Sequence, residues 1–329
     1  MGSRRTWRLF GVLVVSLAFA AASCSSDDSS TSDNSTTSAQ DSSDGASFRA
    51  ATYNAGLAVN FVDFANERAP VVAEELGKLD TELLVVQEVW EPEHVGLVEE
   101  ATAAHYPNRI FLDPQPAEGF AYGGTFGIGV LTNQEIVDQD TLYLESSLNR
   151  RAVIYAELDT EQIGTVHVFA THLSAIFSDI PFPGGGGPEA WQQEQADQIE
   201  TMQAFIDEKV DDENPVLLMG DFNTGPGGNG YSAEAVENYD ALVAGGPYDN
   251  PYVDDSSAAC TFCNDNTLVD DEGSDGFLID HVLVRDFDGT VDVERIYDEN
   301  VSVVVEGEEV MMNLSDHFGL LATLTPDSG

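Results

Sequence analysis

From residue 48 onward, short apolar runs alternate with segments whose apolar residues recur at helical spacing. "FRAATYN" (48–54) predicts a strand, and "NERAPVVAEELGKL" (66–79) a helix with one apolar face. "TELLVVQE" (81–88) predicts a buried strand, and "HVGLVEEATAA" (94–104) a second helix. Further strands are predicted at 125–133, 151–158, 165–173, 215–223, 276–284 and 318–324, with weaker ones near 291–296 and 301–305. "GPEAWQQEQADQIETMQAFIDEKV" and "SAEAVENYDALV" supply two more helices. Strands and helices interleaved in this way predict an α/β fold, and the absence of repeats or a second linker predicts one domain over about 48–326.

The preceding residues read differently. Arg4, Arg5 and Arg8 precede the apolar run "LFGVLVVSLAFAAAS", the pattern of an export signal over residues 1–23. The run is too short to favour a spanning helix. "AASC" resembles a bacterial lipobox, which makes Cys24 the expected first mature residue and lipidation site, while "SRRTWRL" loosely resembles a twin-arginine signal. The Ser/Thr/Asp tract over 24–47 holds almost no apolar residue and predicts a disordered tether. An exported protein is expected, secreted or held at the cell surface by a lipid anchor.

Charge narrows the partners. The formal net charge is −47, and removal of the leader takes three arginines with it. Lys78, Lys209 and seven arginines remain, too few for the broad basic face that gains affinity by displacing counterions from many phosphates. Such acidity serves solubility or a saline habitat, and it repels a polyanion unless a divalent cation intervenes. Arg150 and Arg151 are the one adjacent basic pair after the leader, suited equally to a phosphate contact or a solvated strand edge. The remaining cysteines, Cys260 and Cys263 in "CTFC", predict a small disulfide loop outside the cytoplasm, with free thiols as the alternative. A zinc site would want two more ligands, and "NDNTLVDDEG" offers neither Cys nor His.

Polar residues recur at the ends of the apolar runs: Asn54, Glu88, His172, Asp221 with Asn223, Asp280, and Asp316 with His317. Each alone reads as a turn residue. Together, "TYNAG", "VVQEVW", "ATHLSA", "MGDFN", "IDHVLV" and "LSDHFGLLATL" appear in the order of the endonuclease/exonuclease/phosphatase family, which the chain resembles over about 48–326. The resemblance implies a four-layer sandwich, two mixed β-sheets packed face to face with helices on both outer sides. It also implies metal-dependent phosphoester hydrolysis.

That chemistry needs a hard cation, an activated water and donors for the phosphoryl oxygens. Glu88 is the best candidate metal ligand, Asn54 a supporting one, and Asp316 lies on or beside the metal. Mg2+ is the expected ion, with Mn2+ or Ca2+ as alternatives. His317 would be the general base, and the resemblance assigns Asp280 as its orienting carboxylate. Asp221 and Asn223 would position the water and a phosphoryl oxygen, and His172 would donate to that oxygen as charge builds there. Strand alternation places Asp221 and Asn223 on one face, and the glycines that follow are expected to keep the site mouth open. His281 should face away, His94 and His105 should lie on the surface, and His167 should be packing or exposed.

On substrate, "CTFCNDNTL" ahead of "LIDHVLV" is similar to the sphingomyelinase branch of the family. The loop 174–191 carries Ile176, Phe177, Ile180, Phe182 and Trp191, which could touch a lipid surface or fold onto the domain. Relatives often carry an Arg before a Gln on the helix after His172; "WQQEQADQ" has none, which leaves a phosphate contact from that helix in doubt. The expected protein is a monomeric phosphodiester hydrolase acting on a phospholipid headgroup ester such as sphingomyelin. The alternatives are an extracellular nuclease acting on nucleic acid and a non-catalytic surface binding protein.

Overall fold

Side-chain alternation along the strands explains the architecture. In β1 (Phe48–Asn54), Phe48 and Ala50 enter one buried cluster while Ala51 and Tyr53 enter another. The strand is therefore buried on both faces. In the computed structural model, which describes residues 47–115, 124–228, 230–255, 257–269 and 275–328, the same division recurs in most strands. The expected export signal, lipidation site at Cys24 and tether lie outside the described residues.

The chain continues through α1 (Ala65–Lys78), β2 (Leu83–Gln87), α2 (Pro92–Thr102), β3 (Asn108–Phe111), β4 (Gly129–Thr132), β5 (Glu135–Leu144), β6 (Arg151–Thr160) and β7 (Gly164–His172). It then forms α3 (Pro188–Lys209), β8 (Val216–Asp221), α4 (Val236–Gly245) and the short α5 (Pro251–Asp254). The last strands are β9 (Asp280–Arg285), β10 (Gly289–Ile296), β11 (Val301–Val305), β12 (Glu308–Met312) and β13 (Gly319–Pro326).

Two mixed sheets result, ordered β10-β13-β1-β2-β4-β3 and β5-β6-β7-β8-β9, with β11 and β12 as a separate hairpin. The inner faces meet in one core that joins Ala50, Val85 and Ala322 of the first sheet to Ile154, Val168, Met219 and Val282 of the second. On the outer face of the first sheet, Val72 and Leu76 of α1 and Val98 of α2 pack on Tyr53, Leu84 and Val86. On the outer face of the second, Ile199, Met202 and Ile206 of α3 pack on Tyr155, Phe169 and Leu218. This is the expected four-layer sandwich.

Where expectation and structure differ, local causes are visible. The strand expected over 125–133 narrows to β4, because Gly127 takes a positive φ (67°) against the face of Trp90. β5 and β12 escaped notice because most of their residues are polar or exposed at sheet or hairpin edges. His94 is not a surface residue: it is buried, with Nε2 3.0 Å from Asn66 Oδ1.

Candidate active site

The inward-facing parity of the strands builds the site. In β7 the inward positions run Val166, Val168, Ala170 and then His172. In β8 they run Leu217, Met219 and then Asp221, and β9 begins with Asp280 ahead of Val282 and Val284. These three polar ends lie in register, His172 beside Asp221 and Asp221 beside Asp280. From the opposing sheet, Asn54 ends the inward row of β1 and its Nδ2 donates to Asp221 Oδ2 over 2.8 Å. In β7 and β8 the inner row is apolar until its last residue, while in β1 Thr52 precedes Asn54 and accepts from Gln87 Nε2 (3.0 Å).

His317 precedes β13 and closes the cluster. Its Nδ1 lies 2.8 Å from Asp280 Oδ2, and its Nε2 lies 4.0 Å from Asp221 Oδ2. His172 Nε2 lies 3.4 Å from the same Asp221 oxygen. Asp221, Asp280 and His317 present ligand-type atoms within 4.8 Å of one another. With Nδ1 held by Asp280, the trio is a proton-handling group whose Nε2 is turned toward Asp221. Asn223 reaches the site by a route that alternation did not foresee. It leaves the strand with φ 49°, its backbone N–H donates to Asp221 Oδ1 (2.8 Å), and its Nδ2 donates to the Leu173 carbonyl.

The electrostatics are those of a cation site. Burial, then the charges of Asp316 and Asp221, push Glu88 up to about 7. Burial and the charge of Asp280 push Asp221 up to about 7, against His317 and the hydrogen bonds from Asn223 and Asn54. Burial pulls His317 down, but Asp280, Asp221 and Asp316 together outweigh it and hold the imidazole well above its ordinary value. His172 goes the other way, lowered by burial and by the neighbouring Arg151 and His317 charges, so it is neutral. Several buried polar atoms here have no protein partner: Asp280 Oδ1, His172 Nδ1 and Arg151 Nε and Nη1. Buried polar groups are mostly hydrogen-bonded, which leaves these atoms available to a ligand. The acidic oxygens of Glu88 and Asp316 with the amide of Asn54 fit a hard divalent cation such as Mg2+.

Supporting residues fix the rim. Arg68 is fully buried and donates to the carbonyls of Leu314 (2.8 Å), Ala55 (3.3 Å), Gly56 and Asp63. It thereby ties the segment after Asn54 to the one before Asp316. Gly56 has φ 56°, and a Cβ there would collide with Asp316 Oδ1 and Ser315 Oγ. Cys260 and Cys263 are joined by a disulfide. Between them, Thr261 accepts at Oγ1 from the Ile279 and Asp280 N–H groups, and its carbonyl accepts from Phe318 N–H. The small loop therefore buttresses Asp280 and the neighbour of His317 at once.

The structure decides the other expectations. Trp191 is buried, its Nε1 donates to the Ile180 carbonyl, and Phe177 and Phe182 pack edge-on against it. The apolar loop thus folds onto its own domain. Gly225 does not hold a mouth open; it pairs with Glu234, and a Cβ there would run into the Leu278 carbonyl. On α3, Gln195 Nε2 donates to the carbonyls of Ser174, Phe222 and Asn223, fixing the loops beneath the site instead of meeting phosphate. His281 is buried on the other face, between Asn250 Nδ2 and the Thr224 carbonyl. His167 is buried between Tyr155 and Asp212, and His105 is half-buried against the Thr81 carbonyl.

Arg151 is the functional candidate that the sequence left undecided. It is 5% exposed, so it is no solvated strand edge. Burial pulls it down to about 10, opposed by Glu88, Asp221 and Glu194, and its guanidinium lies 5.6 Å from the Trp90 ring centroid. A charged residue opening an otherwise apolar strand was the available signal.

A family model for the endonuclease/exonuclease/phosphatase family matches residues 51–317. The chain belongs to that family. Family members are hydrolases acting on phosphoesters. Among solved structures, sphingomyelinase C from Streptomyces griseocarneus is 18% identical with a TM-score of 0.64, the match covering 85% of this chain and 99% of that one. A variant of beta toxin from Staphylococcus aureus, solved with bound magnesium ions, is 12% identical with a TM-score of 0.64, covering 85% and 99%. A mannosyl-6-phosphatase from Bacteroides thetaiotaomicron is 19% identical with a TM-score of 0.60, covering 84% and 98%. These likenesses show a shared fold. A comparison with curated proteins finds no significant match.

Proposed function

We propose that the protein is an exported, Mg2+-dependent phosphodiester hydrolase whose favoured substrate is a phospholipid headgroup ester such as sphingomyelin. The observation that carries the catalytic reading is the His317–Asp280 pair, 2.8 Å apart and buried, with Nε2 of His317 4.0 Å from the Asp221 carboxylate that His172 also approaches.

In this reading His317 Nε2 takes the proton of the attacking water, and Asp280 holds the ring's orientation and stabilises the imidazolium that forms. Asp221, held by Asn54 and Asn223, orients the water. Neutral His172 and cationic Arg151 meet the charge that builds on the phosphoryl oxygens. A divalent cation held by Glu88 and Asp316, with Asn54 in support, supplies charge neutralisation when bound. Positive charge at that place also opposes the carboxylates that raise His317, leaving it free to act as a base.

The lipid reading draws support from two features. Hairpin β11–β12, just before Asp316, exposes Val304 and Met311 (60% each), and the fold neighbours include a sphingomyelinase. The acidic chain disfavours an extended polyanion. A panel of sphingomyelin vesicles, phosphatidylcholine vesicles and DNA, with and without EDTA, tests the reading. Choline phosphate released from sphingomyelin and stopped by EDTA supports it. DNA cleaved while sphingomyelin stays intact selects the nuclease reading, and hydrolysis of none of them removes the catalytic one.

A further inference from the structure

The Cys260–Cys263 bridge encloses only Thr261 and Phe262, and both of them touch the catalytic pair. Thr261 Oγ1 accepts from the Asp280 N–H, and its carbonyl accepts from the N–H of Phe318, the residue after His317. Phe262 stands opposite His317 in a backbone bridge, and its ring centroid lies 5.1 Å from that of the imidazole. A cross-link this short restricts the unfolded chain little, because that contribution grows with the loop it closes. Its consequence lies in where it sits, one loop away from both members of the general-base pair.

The two sulfurs have different surroundings. Cys263 is fully buried and Cys260 half-buried. Arg295 sits against the buried one: its Nη1 lies 3.7 Å from Cys263 Sγ and donates to the Cys260 carbonyl over 3.2 Å. The same guanidinium lies 4.5 Å from the Phe318 ring centroid and pairs with Asp298 through Nη2. A thiol that attacks the accessible sulfur expels the other as a thiolate, and exchange is favoured when positive charge stabilises the departing thiolate. Arg295 supplies that charge at Cys263.

We propose that Cys260–Cys263 is a thiol–disulfide exchange site, with thiols as its substrate class, and that its redox state sets the rate of the hydrolytic site. The rate, but not the exchange, rests on the hydrolase reading. The thiolate of one reductant molecule attacks Cys260 Sγ; the disulfide breaks, and Cys263 departs with the electron pair beside Arg295. A second reductant molecule attacks the mixed disulfide, releases Cys260 as a thiolate and leaves as the reductant's own disulfide. Two thiols are oxidised, the bridge takes up two electrons, and the two thiol protons pass to the cysteines. Unbonded sulfurs cannot remain at bonding distance, so the loop widens and Thr261 and Phe262 shift against Asp280 and His317. The oxidised protein is the active form, and the reduced one holds its general base loosely.

The test places the whole protein with Mg2+ in buffers of reduced and oxidised glutathione. Maleimide labelling and mass spectrometry should show the bridge opening within the glutathione range. As it opens, kcat on bis(p-nitrophenyl) phosphate should fall on the order of tenfold with KM little changed, and return on reoxidation. Arg295→Gln should disfavour the open form on the order of tenfold in the exchange equilibrium. Replacing both cysteines by serine should give the slow rate at every glutathione ratio. The imidazole 15N resonances of His317, assigned by their loss in His317→Ala, should move on reduction, which reads the coupling without turnover. A bridge that stays closed, a kcat indifferent to its opening, or a reduced protein that circular dichroism shows to be unfolded each overturns the proposal. So does an exchange equilibrium that Arg295→Gln leaves unmoved. If neither form hydrolyses the ester while the His317 resonances still follow the redox state, the hydrolase reading fails and the exchange site stands.

Discussion

Asn54 and Asp221 come from different sheets, 167 residues apart in sequence, and meet through one 2.8 Å hydrogen bond at the rim of the site. The contact bridges the two sheets and leaves Asp221 with both oxygens held, one by Asn54 and one by the Asn223 N–H. Asn54→Ala removes a donor that favours the ionised carboxylate. Asp221 should then protonate more readily, so the acid limb of the pH–rate profile moves to higher pH and kcat falls about 10²-fold. A pH–rate profile of both proteins on one diester checks this, and an unmoved acid limb contradicts it.

Glu88 is an acid raised to about 7 by burial and by its acidic neighbours. An acid whose folded value lies above its unfolded one stabilises nothing; it lowers stability as pH rises from about 4.5 toward 7. Glu88→Gln should therefore raise the Tm of the metal-free protein at neutral pH. It should also abolish the Tm increase that Mg2+ gives the wild type. Thermal melts with Mg2+ and with EDTA measure both effects. A Mg2+ shift that persists in Glu88→Gln removes Glu88 from the metal site.

The Cys260–Cys263 loop encloses few residues, so its loop-entropy contribution is modest, ~2 kcal/mol. Its larger effect should be on rate, because Thr261 inside the loop holds the Asp280 N–H and the Phe318 N–H. Replacing both cysteines by serine should lower kcat at temperatures where circular dichroism shows a folded protein. Unchanged kcat in a folded double variant would show that the loop does not position Asp280.

His281 lies on the face of β9 turned away from the cluster, among Phe222, Tyr239 and Asn250. Burial pulls it down to about 4, against the Thr224 carbonyl and Asp280. The unfolded chain takes up this proton near 6.5 and the folded one only near 4, so stability is lost as pH falls across that window. The loss amounts to about 3 kcal/mol at its lower end. Urea unfolding at about pH 7 and about pH 4.5 should show a smaller loss in His281→Gln than in wild type. Equal losses contradict the assignment.

Much of this was legible in the sequence because strands buried on both faces announce themselves as apolar runs. Their polar last residues then stand out: Asn54, Glu88, His172, Asp221 and Asp280 were all visible as breaks in such runs. The element boundaries of β1 and β11 match the expected ones residue for residue. What escaped depends on contacts between distant segments. Arg68 reads as an ordinary helix residue until Ala55, Gly56 and Leu314 present their carbonyls to it. Arg151 reads equally as a phosphate contact or a solvated strand edge until burial and the Trp90 ring decide it. Asn223 was expected on the strand face, but a left-handed residue brings it round instead. β5 and β12 carry too few buried residues for periodicity to reveal them.

The central claim is that His317, oriented by Asp280, drives metal-dependent hydrolysis of a phosphodiester. Hydrolysis of bis(p-nitrophenyl) phosphate by the whole protein tests it most directly, with Mg2+ or EDTA, in wild type and in His317→Ala. The account predicts turnover with Mg2+, none with EDTA, and a fall of about 10²–10⁴-fold in a folded His317→Ala protein. Turnover indifferent to EDTA, or undiminished in His317→Ala, would contradict it.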